Sequence, residues 1–293
     1  MRQTFSTEIS SWLSEDPDSI LLLGDIGVGS FTKLIKQFPD RAINLGILEQ
    51  SMISFASGLV LGEKRIIVHT IAPFMVGRAY EQLKIDFGYR QLAGLFVSVG
   101  ASFDYGKLGS THHAPEDILL FSTIPNSRMF IPGNKEELKA IILQHRKNPK
   151  LDYLRIPQIS HTQNIEVKDG FAKLLVVDNR PTIVALGPTL DVGYDVARRL
   201  NFSLIYINTI DSDKSKLFVE NSHPYFIIEP FFTGTTQFAI NKNFNTNQQV
   251  INIGIPREFQ RDYIDAEERW SALNLDSESI VQRINEFLKL ANK

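Results

Sequence analysis

The sequence predicts an α/β protein of two domains, each a mainly parallel sheet flanked by helices. Three observations carry that prediction. Short apolar runs alternate with amphipathic segments, the pattern of strands buried on both faces and joined by helical crossovers. The alternation stops in the polar stretch 157–180 and then resumes. The 293 residues exceed one ordinary core.

In chain order, "SILLLGD" (19–25), "RIIVHT" (65–70) and "GLFVSVG" (94–100) read as buried strands. Between the last two, Phe74, Ala79, Leu83 and Phe87 fall at helical spacing in "PFMVGRAYEQLKIDFGY". "PEDILLFSTI" (115–124) opens with proline and two acids, a helix-start signal. "NKEELKAIILQHR" (134–146) is a further helix capped by Asn134, and "LDYLRIP" (151–157) is a strand. These elements define a first domain over 1–160, with a linker over 161–180. The second domain, 181–293, offers strand "PTIVALG", helix "TLDVGYDVARRL", strands "FSLIYIN", "PYFIIEP" and "QVINIGIP", and a final helix near 277–291.

Composition excludes several classes. A formal net charge of −2 gives no footprint for nucleic acid or an anionic membrane. With no cysteine there is no disulfide, thiolate nucleophile or Cys-ligated metal. The first residues lack a signal-peptide shape, and no apolar run approaches the ~18 residues of a membrane span, so a cytoplasmic location is expected. There is no P-loop, no H-E-x-x-H and no G-x-S-x-G. "GDIGVGSF" lacks dinucleotide-binding spacing, and the six histidines lack metal-ligand spacing, so no metal site is assigned to this chain.

Four features fall at strand ends or in the loops that follow: Asp25, Glu49 in "ILEQ", the segment His69–Phe74, and "LGSTHHAPED" with His112 and His113. Ligands of open parallel sheets bind at the carboxyl ends of the strands, so these could converge. Each has a plainer reading. An acid at a helix start suits the helix dipole. A phenylalanine opening a helix is ordinarily core. A loop histidine can serve only a local hydrogen bond. Asp25 can simply accept from backbone N–H groups in its turn.

The order of these motifs is where a family resemblance emerges. Residues 1–156, through "NLGILEQSMISFASGLVLG", "GRAYEQ", "GSTHHAPEDILLFSTIPN" and "FIPGNKEELKAII", resemble the pyrimidine-binding domain of the thiamine diphosphate-dependent transketolase family. Residues 181–256 resemble that family's C-terminal domain, through "PTIVALG", "YFIIEPFFTGTTQFAI" and "INIGIP". The resemblance implies that Glu49 hydrogen-bonds the cofactor's aminopyrimidine and shifts it to the imino tautomer, with burial raising the carboxyl pKa toward neutrality. It implies that Phe74 stacks on that ring and that Asp25 lies with the cofactor contacts. His112 matches the histidine that contacts substrate or its developing oxyanion, with His113 beside it. Arg2 and Arg155 match arginines for a substrate phosphate.

The departures shape the expectation. The diphosphate-binding domain and its G-D-G…N motif are absent from this sequence. The chain is therefore expected to be the C-terminal subunit of a split enzyme, paired with a diphosphate-binding subunit that holds Mg2+, as an α2β2 heterotetramer. Gly100 and Leu108 stand where transketolases usually carry a histidine and a sugar-reading aspartate, so a different sugar substrate is expected. His69, in "HTIAPF", has two readings: a replacement polar contact, or a strand cap. The expected activity is transfer of a two-carbon ketol unit from a ketose to an aldehyde or ketone acceptor. The alternatives are the β subunit of a 2-oxo acid dehydrogenase E1 component, from which "GSTHHAPEDI" argues away, and a non-catalytic scaffold.

Overall fold

The computed structural model describes residues 1–211, 223–240 and 249–291. Among these, twelve strands form two sheets. The first contains β1 (Ser19–Leu23), β2 (Ala42–Asn44), β3 (Arg65–Ile71), β4 (Gly94–Val99), β5 (Ser127–Phe130) and β6 (Leu151–Arg155), all parallel. The second contains β7 (Phe171–Leu175), β8 (Thr182–Leu186) and β9 (Ser203–Ile207), then β11 (Tyr225–Phe232) and β12 (Val250–Ile255). The short β10 (Thr209–Asp211) leaves the second half of the chain and pairs antiparallel with β5. The orders are β10-β5-β6-β4-β3-β1-β2 and β12-β11-β8-β9-β7.

Period-2 alternation assigns each strand residue to a face. Leu21 and Leu23 of β1 join Ile67, Val97 and Leu154 under α1 (Arg2–Glu15), α2 (Val28–Gln37) and α6 (Lys135–Lys147). Ile20 and Leu22 point the other way, toward Met52, Ile53 and Ala56 of α3 (Glu49–Leu61) and toward the helical segment 73–89. That segment is not a plain α-helix. Two π-helical stretches, Pro73–Arg78 and Leu83–Tyr89, flank a single α-turn, α4 (Tyr80–Gln82). The five-residue step from Phe74 to Ala79 suits the wider π turn.

The remaining helices are α5 (Asp117–Ser122), α7 (Leu190–Leu200), α8 (Thr235–Ile240), α9 (Ala266–Ala272) and α10 (Ser277–Ala291). Helices α7 and α10 cover one face of the second sheet, where Val196, Ile280 and Ile284 meet Ile183, Leu204 and Phe226. The opposite face, with Val184, Ile205 and Ile227, packs into the same cluster as Ile118, Phe121 and Met129 of the first half. The two sheets thus share one apolar core.

The expected strands and helices form close to their predicted bounds, and Asn134 caps α6 by accepting from the Glu137 N–H at 2.9 Å. Phe171–Leu175, inside the 161–180 segment expected to be a linker, is instead the edge strand β7. It is antiparallel and only half-buried, and its short apolar run "FAKLL" stands among the polar residues that make the segment read as a linker. Helix α1 is not among the expected elements, although Phe5, Ile9, Trp12 and Leu13 follow the 3.6-residue period and are all buried.

Glu137 of α6 joins the halves by hydrogen bonds. Its Oε2 accepts from Tyr206 Oη at 2.7 Å, Asn208 Nδ2 at 2.8 Å and Gly133 N at 3.0 Å, while His161 Nε2 lies 2.8 Å from Oε1. Burial alone would push this carboxyl up; the bonds from His161, Gly133, Asn208 and Tyr206 outweigh it and hold the pKa below its ordinary value. The stability this carboxylate contributes is therefore present above the unfolded glutamate value of about 4.3 and lost as pH falls through the lower folded value. Glu137→Gln is expected to cost about 2–3 kcal/mol at neutral pH, because one amide cannot accept all these bonds. Urea unfolding at several pH values checks this; the variant should lose less stability than the parent on acidification.

Candidate active site at the carboxyl ends of β1, β3 and β4

Glu49 begins α3 shortly after the β2 edge of the sheet, and its side chain turns inward to 1% exposure. Arg78 Nη1 donates to its Oε2 at 2.7 Å. Thr70 Oγ1, at the end of β3, lies 3.4 Å from Oε1. The guanidinium carbon of Arg78 sits 4.1 Å from the centroid of the Phe74 ring. In a π-helix residues four apart nearly complete one turn, which stacks Arg78 on Phe74. The Phe74 ring in turn meets the His112 imidazole edge-on, with centroids 5.3 Å apart.

His112 rides on the loop between β4 and α5. A bridge between Ser102 and Ala114 closes the loop, with Ala114 N donating to Ser102 O at 2.9 Å. Asp104 pins it to the segment after β6, its Oδ2 accepting from Ala101 N at 3.0 Å and Gln158 N at 2.9 Å. Burial pushes the Asp104 carboxyl up to about 6. Within the loop, Thr111 Oγ1 lies 2.9 Å from His112 Nδ1 and fixes the ring. With the hydroxyl as donor, the imidazole proton is carried on Nε2.

Tyr105 completes the wall and is not singled out by the sequence. Its ring lies 6.2 Å from that of His112, and the Arg2 guanidinium sits over it at 5.3 Å. Its position explains Gly100. That residue has φ of +76°, and a Cβ there would come within 2.6 Å of the Tyr105 ring. Gly100 and Tyr105 are therefore one arrangement: the ring occupies the space a side chain at 100 would need. The available signal is a glycine ending a buried strand with an aromatic five residues on. Arg78 is a second site residue that sequence reasoning misses, although in "PFMVGRAY" it is the first charged residue after an apolar run.

The other expected residues fall in different places. His69 is buried at the end of β3, with Nδ1 3.0 Å from Val97 O and its ring packed on Phe5 at 4.9 Å. A Cβ on Gly27 would lie 3.0 Å from its Nε2 edge. Burial, partly opposed by the Val97 hydrogen bond, lowers its pKa to about 4, so it is neutral at neutral pH. Its ring is enclosed by Phe5 and Phe31 on the α1–α2 side of the sheet. Asp25 adopts φ of +59° and exchanges two 3.0 Å hydrogen bonds with Asn44 at the surface. His113 turns away from Phe74: its Nε2 lies 3.3 Å from Gly106 O and its ring packs edge-on against Phe103.

Arg155 departs most from its expected role as an arginine for a substrate phosphate. It is 1% exposed; Nε donates to Asp117 Oδ2 at 2.7 Å and Nη2 to Ser102 Oγ at 2.5 Å. A buried guanidinium already paired this way supports the loop rather than offering its charge to a ligand. Arg2, exposed at the start of α1, lies beside the Tyr105 wall of the site.

A flat cation resting on an aromatic ring and bonded through its edge to a buried carboxylate shows what this site accommodates. It fits a planar heterocycle with a polar edge, such as an aminopyrimidine. The family model for the pyrimidine-binding domain of transketolase matches residues 1–160, and the chain belongs to this family.

Individual relatives narrow the comparison. The chain is 24% identical over 307 residues to one of the subunits of apulose-4-phosphate transketolase from Phocaeicola vulgatus, covering 98% of this chain and 97% of that one. It is 29% identical over 295 residues to an uncharacterized 33.6 kDa protein in the fasciation locus of Rhodococcoides fascians, covering 98% and 95%. Its fold matches a split-gene transketolase solved as an inactive beta4 tetramer, with TM-score 0.80 at 20% identity over 99% and 98% of the two chains. The chain spans about half the length of the 1-deoxy-D-xylulose-5-phosphate synthases and single-chain transketolases it also matches.

Gly100→Ala is expected to destabilise the fold by about 2–3 kcal/mol, through a strained positive φ and overpacking against Tyr105. Adding Tyr105→Ala should recover part of that loss. A double-mutant cycle in urea measures the coupling, and strictly additive effects would refute the shared-space account.

Proposed function

We propose that this chain is the pyrimidine-binding subunit of a split, thiamine diphosphate-dependent, transketolase-like enzyme. It transfers a two-carbon ketol unit from a ketose donor to an aldehyde or ketone sugar acceptor, in a specialised sugar pathway. The observation that carries this reading is the buried Glu49 carboxylate beside the half-buried Phe74 ring and His112, within a chain of this family. Full-length relatedness to a protein named as one subunit of a transketolase supports the split arrangement.

In this reading thiamine diphosphate, when bound, would supply the nucleophilic carbon and electron sink of the reaction, and this chain's Glu49, Phe74 and His112 would hold its pyrimidine ring and the substrate. Glu49 exchanges a proton at a carboxylate oxygen with the ring nitrogen, sheltered from water by its burial. Phe74 offers a flat apolar face that fixes the ring plane. His112, oriented by the Thr111 hydroxyl 2.9 Å from its Nδ1, turns its Nε2 edge to the substrate, where as a donor it would hold an oxygen on which charge develops. Arg2 draws an anionic group of the substrate toward the Tyr105 wall. The diphosphate and its Mg2+ are assigned to a partner subunit.

The surface around Glu49 supports such a partner. Ile47 and Leu48, which lead into α3, are 65% and 58% exposed, and Phe55 and Leu61 follow on the same helix. Ile85 and Tyr89 of the neighbouring π-helical segment are also exposed, and Ser54 Oγ donating to Asp86 at 2.7 Å ties the two helices together. An apolar surface of this kind, rimming a half-built site, marks a protein interface. An α2β2 assembly would complete two such sites.

The expected outcome is that the tagged chain co-purifies with a diphosphate-binding subunit and that the complex turns over ketose donors. Glu49→Gln should lower turnover by roughly 10²–10⁴-fold while assembly, measured by gel filtration, survives. Turnover with a 2-oxo acid donor in place of a ketose would reassign the chain to the E1 β-subunit class.

A further inference from the structure

The contacts of Arg78 carry an inference that rests on the proposed function and extends it to the control of cofactor loading. Two features define an aminopyrimidine site here: a buried carboxylate oxygen able to take a hydrogen bond from a ring edge, and an aromatic face able to take the ring plane. Arg78 uses both. Its Nη1 donates to Glu49 Oε2 at 2.7 Å, and its guanidinium carbon lies 4.1 Å from the Phe74 ring centroid. A guanidinium is flat, carries donors along its edge and stacks on aromatic faces, so it reproduces in outline the polar edge and plane of an amino-substituted heterocycle.

We propose that Arg78 is a placeholder in the cofactor site: it fills the aminopyrimidine position in the unpartnered chain and must turn outward before the cofactor ring can bind. One planar group at a time can stack on that face of Phe74 while bonding Glu49 Oε2. The side chain of Arg78 is 40% exposed, so it has solvent to turn into. The placeholder also answers a physical need of the chain without cofactor. Glu49 is 1% exposed, and its other oxygen has only the long 3.4 Å contact to Thr70; without Arg78 a buried carboxylate would lack a close charged partner. The same residue thus stabilises the empty site and competes with its ligand.

The competition has a definite thermodynamic sign. A ligand that must displace a side chain binds more weakly by the fraction of molecules in which the site is already open. Removing the side chain should therefore destabilise the free chain and tighten cofactor binding, two effects of opposite direction from one substitution. A residue that contacts the bound cofactor, or that orients Glu49 toward it, would weaken binding on removal.

The test uses Arg78→Leu, which keeps an apolar contact with Phe74, and Arg78→Lys, which keeps the charge without the planar face. Thermal unfolding of the free chain should show a Tm lower by roughly 3 °C for Arg78→Leu, with Arg78→Lys intermediate. In the complex assembled with its diphosphate-binding subunit, titration calorimetry with thiamine diphosphate and Mg2+ should give a Kd about tenfold lower for Arg78→Leu than for the parent. Weaker or unchanged cofactor binding in Arg78→Leu, with the parent complex still binding, would overturn the placeholder while leaving the functional reading intact. If neither the parent complex nor either variant binds thiamine diphosphate, the functional reading itself fails and the placeholder with it.

Discussion

A carboxylate withdrawn from water must be given partners, and the burial of Glu49 is the constraint around which the first half of this molecule is arranged. It sits at the N-terminus of α3, where the helix dipole favours an anion. The end of β3 brings Thr70 within reach, and the π-helical stretch 73–78 sets Arg78 above Phe74 and against the carboxylate. Four residues along such a helix bring the chain nearly back over the same face, so the cation and the ring it covers share one side. The loop that carries His112 is then held against this group by a backbone bridge and by Asp104.

Much of this was legible in the sequence because it depends on local pattern. The alternation of apolar runs with amphipathic segments revealed the α/β class, and Asn134 marked a helix start through an ordinary capping bond. Glu49, Phe74 and His112 stood out through motif order, and they lie together in space. What the sequence concealed depends on distant partners. Arg155 looks like any arginine at a strand end until Asp117, far along the chain, is found bonded to it. His113 is indistinguishable by position from His112, and it is the Phe103 ring and the Gly106 carbonyl that turn it inward. Tyr105 gained meaning from its ring filling the space over Gly100, a contact that the five-residue spacing hints at and only the fold establishes.

Secondary structure shows the same division. Strand β7 does carry a short apolar run, "FAKLL", but polar residues surround it on the N-terminal side and Asp178–Arg180 follow, so the segment as a whole reads as linker; its pairing with β9 is what makes it a strand. Strand β5 is four residues long and lies between two helices whose patterns run nearly into it. Both are defined by their pairing, β5 with β6 and β7 with β9, more than by a long pattern of their own. Propensity is a weak guide for such short elements, and tertiary pairing decides them.

Strand β10 has a consequence for how the chain can be divided. It comes from beyond β9, deep in the second half, yet it covers the outer edge of β5 in the first sheet. The family match ends at residue 160, well before this strand begins. A polypeptide cut at that point would keep every strand of the parallel sheet but leave one flank of β5 without a neighbour, its amide and carbonyl groups ready to pair with another molecule. The matched region is thus a unit of ancestry whose structural closure is supplied from outside it, and the two halves of the molecule are interleaved rather than strung end to end.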